Sequence, residues 1–241
     1  MTYCIGIKLK AGLVALSDTR ITSGNETTTS GKFKIYQKGN QHIFLLTSGL
    51  RSLRDKALTY FSEVLSVKLD DFEKLYQAVN ALGDQIKRVA REDKEMLAES
   101  GMGFNINVIV GGRLAGDKDH KLYLLYPQGN WIEIGKATPF TIIGNSGYGT
   151  PVLKRTINYD SSIRFALKTS FLSFDSTRVS SNDVGFPIDV IIFPKDGKEI
   201  KIKRFEEQDL HTISELWREK LTKAVSEVPD DWMNCILDDI T

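Results

Sequence analysis

The chain has 241 residues, 41% of them hydrophobic and 26% charged, with 32 Lys and Arg against 31 Asp and Glu for a formal charge of +1. This balance excludes binding to nucleic acid or a membrane surface through bulk electrostatics, and no apolar run approaches the roughly 18 residues of a membrane span. The N-terminus lacks a basic stretch before an apolar core, so no secretory signal is expected. Cys4 and Cys235 stand far apart without a CxxC pair, and His42, His120 and His211 are isolated. Neither a disulfide framework nor a metal site is expected, and a cytoplasmic location fits.

The first elements alternate. Tyr3, Ile5, Ile7 and Leu9 take one face and Cys4, Gly6 and Lys8 the other, which predicts a half-buried strand. Leu13 to Ser17 reads as its hairpin partner across Ala11-Gly12. A polar loop runs from Ser23 to Gly31, followed by strands at Phe33–Tyr36 and Ile43–Leu46. Apolar residues then return at three- and four-residue steps over Leu50–Leu65 and, more clearly, over Asp71–Leu97 (Phe72, Leu75, Val79, Leu82, Ile86, Val89), predicting two amphipathic helices.

Strands follow at Asn105–Val110, Lys121–Tyr126, Trp131–Ile134 and Phe140–Ile143, then helices at Pro151–Asn158 and Ser161–Phe174. Ile188–Phe193 and Glu199–Lys203 form a hairpin around Lys195-Asp196-Gly197, and a last helix covers Glu206–Val225 with Leu210, Ile213, Leu216, Trp217 and Leu221 on its stripe. Strands in hairpin-linked blocks between helix pairs predict antiparallel sheets covered by helices, an α+β class. No linker or repeat interrupts the chain, so one domain over residues 1–241 is expected, with an acidic tail at about 229–241 docked on it. Trp217 reads either as core or, like Trp232, as a subunit contact. Cys4 shares the sheet face of Thr2, where it either approaches a substrate or fills the core.

Thr2 follows the initiator Met, and a small second residue permits Met1 removal. The freed α-amine of an unstructured peptide titrates at about pH 8, so one residue can hold both a nucleophilic hydroxyl and its general base. Asp18, in Leu-Ser-Asp-Thr-Arg at the end of the second strand, is placed to return near Thr2. Lys34, in Gly-Lys-Phe-Lys-Ile-Tyr, starts the next strand. A lysine beside an amine disfavours the ammonium form, and an aspartate beside the lysine keeps the lysine charged. An ordinary salt bridge is the plainer account of the same two residues.

These positions resemble the proteasome-type N-terminal-nucleophile hydrolases, the proteasome β subunits and the HslV-type proteases. That family begins at a catalytic Thr, with an acid sixteen positions later and a lysine thirty-two positions later. The count lands on Asp18 and Lys34, and the spacing disfavours the neighbouring Lys32. Ile143-Gly144-Asn145-Ser146-Gly147 resembles the family's Gly-Ser-Gly segment and nominates Ser146 beside the terminal amine. Pro187-Ile188-Asp189-Val190 resembles the strand after the last catalytic loop. That loop, Phe174 to Gly185, is longer than the family's; it nominates Asp175 as a supporting acid, with either Ser180 or Ser181 as the accompanying serine. For the backbone N–H of the oxyanion site, strict spacing from Thr2 gives Ser48, and glycine-to-glycine matching gives Gly49. The Met-Thr-Tyr-Cys start and the long loop resemble most the bacterial Anbu group.

The resemblance implies a four-layer αββα sandwich, peptide-bond hydrolysis by Thr2 without metal or organic cofactor, and self-association into a ring or open spiral acting on peptide or protein substrates. Whether an ATPase or other accessory partner feeds the particle stays open. Two rival readings use the same fold: an amidase acting on short peptides or small amides, and an assembled scaffold with little proteolysis, which follows if Met1 stays on Thr2.

Overall fold

Two five-stranded antiparallel sheets form the frame of the computed structural model, which describes residues 2–23, 26–197 and 199–237. In chain order the elements are β1 (Tyr3–Leu9), β2 (Gly12–Asp18), β3 (Arg20–Ser23), β4 (Glu26–Thr29), β5 (Phe33–Lys38), β6 (Gln41–Gly49), α1 (Arg51–Lys68), α2 (Leu75–Glu99), β7 (Ile106–Arg113), β8 (Lys121–Leu125) and β9 (Trp131–Glu133). Then come β10 (Phe140–Gly144), α3 (Thr150–Thr156), α4 (Ile163–Arg178), β11 (Ile188–Pro194) and β12 (Lys201–Phe205). The first sheet runs β10-β1-β2-β11-β12 and the second β5-β6-β7-β8-β9. Helix α4 lies on β1 and β2, while α1 and α2 lie on β6, β7 and β8. The result is the expected αββα sandwich. Among the described residues no helix is long and apolar enough to cross a membrane.

The packing explains why β1 departs from its expected half-buried character. Every residue of β1 except Lys8 is buried. Tyr3 packs its ring on Phe174 of α4, while Cys4 joins the core between the sheets with Leu13, Phe44, Leu46 and Ile109. Cys4 is therefore core filling. A strand in the middle of a sandwich that also carries helices meets protein on both faces, so alternation in its sequence does not mean a wet face. Gly6 marks a close approach: a Cβ there would sit 2.9 Å from Ile109 Cγ2 on the opposite sheet.

The second core is built by the predicted helical stripes. Leu53, Ala57, Phe61 and Leu65 of α1 and Leu75, Val79, Leu82, Ile86 and Val89 of α2 are buried against Ile43, Leu45, Val108 and Val110. Helix α2 starts later than predicted. Residues 69–71 form a 3-10 turn, and the Gln77 side chain reaches back to accept from the Glu73 and Lys74 N–H groups, satisfying donors that a new helix leaves orphaned. The polar stretch expected as a loop after Ser23 contains a strand instead: β4 pairs with β3, Ile21 opposite Thr28. Gly24 and Asn25 lie outside the described residues.

The chain divides after Glu206 into two units. The second holds α5 (Glu207–Ser226), a 3-10 turn at Asp231–Met233 and α6 (Asn234–Leu237), none of which contains a buried residue. Ile213, Leu216 and Leu221 of the predicted stripe are exposed, as is Trp232, and Trp217 is half-buried rather than core. The described part of the expected tail is exposed except for the half-buried Met233; residues 238–241 lie outside the described residues.

Two of the three histidines are core residues. His42 and His120 are buried, with their rings 5.0 and 4.4 Å from Phe193. His120 has no protein hydrogen-bond partner on either nitrogen, Asp119 Oδ1 being 3.7 Å away. Burial, with the Arg113 charge adding to it, holds its pKa down to about 4. The unfolded chain, with an ordinary histidine at about 6.5, therefore binds more protons than the folded one between these values. Stability from the neutral ring is complete above that pH and is lost progressively as pH falls toward 4. Thermal unfolding followed from neutral pH downward should show the midpoint dropping through this window, with a shallower drop in His120→Leu.

Candidate active site

Three backbone contacts fix the start of β1. The Thr2 carbonyl accepts from the Asn145 N–H at 2.7 Å, Tyr3 stands opposite Gly144 on β10, and the Tyr3 N–H donates to Asp18 Oδ1 at 2.9 Å. Thr2 itself is 7% exposed. Gly144 is required twice over. Its φ of +88° is the left-handed region, and a Cβ would lie 1.9 Å from the Thr2 carbonyl oxygen. The Gly144-Asn145-Ser146 segment thus reaches Thr2 through the backbone N–H of Asn145. Ser146 is exposed, and its carbonyl accepts from the N–H and hydroxyl of Thr150 at the start of α3.

The charged pair at the site differs from the expected one in its lysine. Asp18, fully buried at the end of β2, receives Lys32 Nζ on Oδ1 at 2.6 Å, and Lys32 is only 4% exposed. Lys34 is exposed on β5. Both lysines share one parity, so alternation cannot separate them; they differ by one strand repeat, about 7 Å along the chain. Counting positions from Thr2 assumed the family's loop length, whereas the β3–β4 hairpin lies between Asp18 and the lysines and sets which one arrives. Lys32 is also locked by its backbone: its carbonyl accepts from the N–H and the hydroxyl of Thr47 on β6.

The electrostatics follow from burial. Loss of water pushes the Asp18 carboxyl up from its ordinary value, and the Lys32 ammonium, then the Tyr3 N–H, oppose that by stabilising the carboxylate. The Gly185 N–H acts in the same direction, although Oδ2 lacks a full hydrogen bond. The outcome is a buried ion pair tied through Asp18 to the N–H of Tyr3 at the start of β1.

The remaining candidates are distributed as follows. Asp175 is buried, but on α4 rather than in a loop, because the helix continues to Arg178; its Oδ1 accepts from Arg178 Nε at 2.9 Å. The helical stretch therefore extends one turn past the predicted end at Phe174. Ser180 is exposed and donates to the Ser176 carbonyl, which turns it back onto its own helix, and the Ser181 carbonyl accepts from Val184 N–H. Ser48 is buried near the end of β6, opposite Asn107. Gly49 has φ +113°, and a Cβ there would lie 2.0 Å from the Asn105 carbonyl oxygen, so the β6–β7 approach by itself demands glycine. Beside Lys32 a pocket of about 290 Å3 opens, lined among others by Phe33, Lys34, Thr47, Arg54 and Asp55.

A first strand that starts directly after Thr2, a buried Asp18–Lys32 pair tied to its first N–H and the αββα layering define the fold of the proteasome-type N-terminal-nucleophile proteins. The family model described as Proteasome subunit matches residues 2–190, and the chain belongs to that family. Within it, the chain is similar to Anbu from Hyphomicrobium sp. strain MC1 (31% identity, 95% of this chain and 99% of the other covered, TM-score 0.85). It is also similar to Anbu, described as an ancestral beta-subunit, from Yersinia bercovieri (29%, 95% and 98%, TM-score 0.87). A third solved structure is the helical assembly of the Anbu complex from Pseudomonas aeruginosa (28%, 95% and 98%, TM-score 0.87). No curated protein matches the chain.

Breaking a buried ion pair from one side strands the other charge. Lys32→Met is expected to destabilise the fold by about 3–5 kcal/mol, whereas Lys34→Met should stay within about 0.5 kcal/mol of the parent. Urea unfolding of the two variants checks this directly; equal midpoints would mean that Lys32 does not carry the pair in solution.

Proposed function

We propose that this chain is a threonine-type peptidase subunit whose nucleophile is Thr2 after removal of Met1. The observation that carries the reading is the buried Lys32–Asp18 pair, tied through Asp18 to the N–H of the residue next to Thr2. The reaction is amide hydrolysis through an ester intermediate. The Thr2 hydroxyl oxygen attacks the scissile carbonyl carbon while the Thr2 amine takes its proton. Lys32 supplies the positive charge that keeps this amine basic, and Asp18 holds Lys32.

The tetrahedral oxyanion is received by the backbone N–H of Ser48 or of Gly49, where one well-aimed donor is worth about 100- to 1000-fold in rate. Thr47 cannot serve, since its N–H is committed to the Lys32 carbonyl. Collapse passes the proton from the ammonium to the leaving amine, and water, activated by the same amine, then hydrolyses the ester. Ser146 and Asp175, with Ser180 or Ser181, are the supporting polar groups around the amine. The pocket beside Lys32 takes a substrate side chain, and its mixed lining of Lys34, Arg54 and Asp55 favours a polar one. By analogy with the Pseudomonas relative, whose structure is a helical assembly, subunits of this chain associate with one another into a ring or open spiral.

Intact mass of the untagged protein, before and after an epoxyketone or β-lactone directed at threonine, tests the reading. Loss of one Met and addition of one label per chain are expected, with labelling abolished by Thr2→Ala. Lys32→Ala should slow labelling by about 100-fold or more, the usual contribution of acid–base help. Retention of Met1, or a free Thr2 that never labels, would favour the scaffold reading over the enzyme. Turnover confined to small amides would favour the amidase.

A further inference from the structure

The side chain next to Thr2 has no part in the chemistry above, yet it is held as strictly as the charged pair. Tyr3 is fully buried, with its ring edge-on to Phe174. A phenylalanine would pack the same way, so the hydroxyl is what calls for an account. It lies 2.6 Å from Ser173 Oγ on α4, and Ser173 Oγ is 2.8 Å from the Gly149 carbonyl oxygen. A carbonyl only accepts, so the one serine proton is committed to Gly149 and the tyrosine must be the donor. Burial pushes the Tyr3 pKa up, which keeps that donor protonated.

The relay is directed from Tyr3 O–H to Ser173 Oγ, then from Ser173 O–H to the Gly149 carbonyl, and it joins three segments. The first is the start of β1, which carries Thr2. The second is α4, which carries Asp175 two residues beyond Ser173. The third is the stretch before α3, which carries Ser146. Ser173 is also unlike its neighbours: Thr169, Ser170, Ser176 and Thr177 each donate to the carbonyl four residues back, whereas Ser173 reaches across to Gly149. Glycine at 149 makes room for it, since a Cβ there would lie 2.3 Å from Ser173 Oγ. Tyr3 is thus tied at both ends, by its N–H to Asp18 and by its hydroxyl to Ser173.

We propose that the Tyr3 hydroxyl is a positioning group which, through Ser173, sets Thr2 against the segments bearing Ser146 and Asp175; the inference rests on the peptidase reading. A strand end secured only by its ladder frays within its first residues. The relay restrains the residue adjoining the nucleophile against two elements that the ladder does not include.

The test compares Tyr3→Phe with the parent. This variant keeps the ring and leaves the Ser173–Gly149 bond intact, so no buried donor is stranded. The rate of inactivation by a threonine-directed epoxyketone and its Ki are measured across the neutral pH range, on protein shown by mass to have lost Met1, with the thermal midpoint recorded alongside. The expected result is inactivation slowed about 10- to 100-fold with Ki held within about twofold, because the change misplaces the nucleophile without altering binding. Ser173→Ala should slow it similarly, and the double variant should be no slower than Ser173→Ala alone, since Ser173→Ala already removes the bond that Tyr3→Phe breaks. Tyr3→Phe that reacts at the parental rate, whatever its midpoint, overturns the positioning role and leaves the peptidase reading standing. A parent protein that does not react at all overturns both, and that failure is recognisable because it appears before any substitution.

Discussion

Asp18 Oδ1 accepts two hydrogen bonds at once, from the Lys32 ammonium and from the backbone N–H of Tyr3, and the organisation of this end of the molecule depends on that shared oxygen. A carboxylate with no exposed surface is tolerated only when its charge is answered inside the protein. Here the answer comes from two separate segments, the start of β1 and the stretch ahead of β5, so satisfying one charge fixes both. Lys32 extends the constraint further: its carbonyl takes the N–H and hydroxyl of Thr47, which belongs to the second sheet. A single buried ion pair therefore locks the two sheets together beside Thr2.

The layers around this clamp divide the work. The inter-sheet core, with Cys4, Phe44 and Ile109 in contact across the gap, sets how close the sheets stand. The α1 and α2 layer closes the second sheet and lends Arg54 and Asp55 to the pocket beside Lys32. Helix α4 supplies the Ser173 hydroxyl that meets the Tyr3 side chain. Asp18, Ser48, Gly49 and Asp175 stand on regular elements, which suits chemistry that tolerates little displacement of a nucleophile. His42 and His120 sit in the core against Phe193, apart from the clamp at Asp18.

Much of this was legible in the sequence. Periodicity located the buried stripes of α1 and α2 and all the strands of the two large sheets, because a period of two or 3.6 is a local property of which face meets protein. Thr2 and Asp18 could be paired from the sequence because a tight hairpin brings the end of β2 back to the start of β1. The segment around Gly144 was legible only through its resemblance to the family's Gly-Ser-Gly segment; its positive φ and close approach to Thr2 give the physical reason for the glycine. What local pattern determines, then, is the element, its face and the residues that a short turn brings together.

Tertiary structure decided the rest. Lys32 and Lys34 are indistinguishable in parity, and only the path of the β3–β4 hairpin determines which ammonium reaches Asp18. Asp175 reads as a loop residue until α4 is seen to continue to Arg178, where an ion pair three residues apart supports the last turn. Tyr3 reads as an ordinary apolar strand residue, yet its hydroxyl finds a serine 170 positions away. The physical reason is common to all three. A partner contributed by a distant segment depends on loop length and layer packing, and neither leaves a periodic trace in the chain.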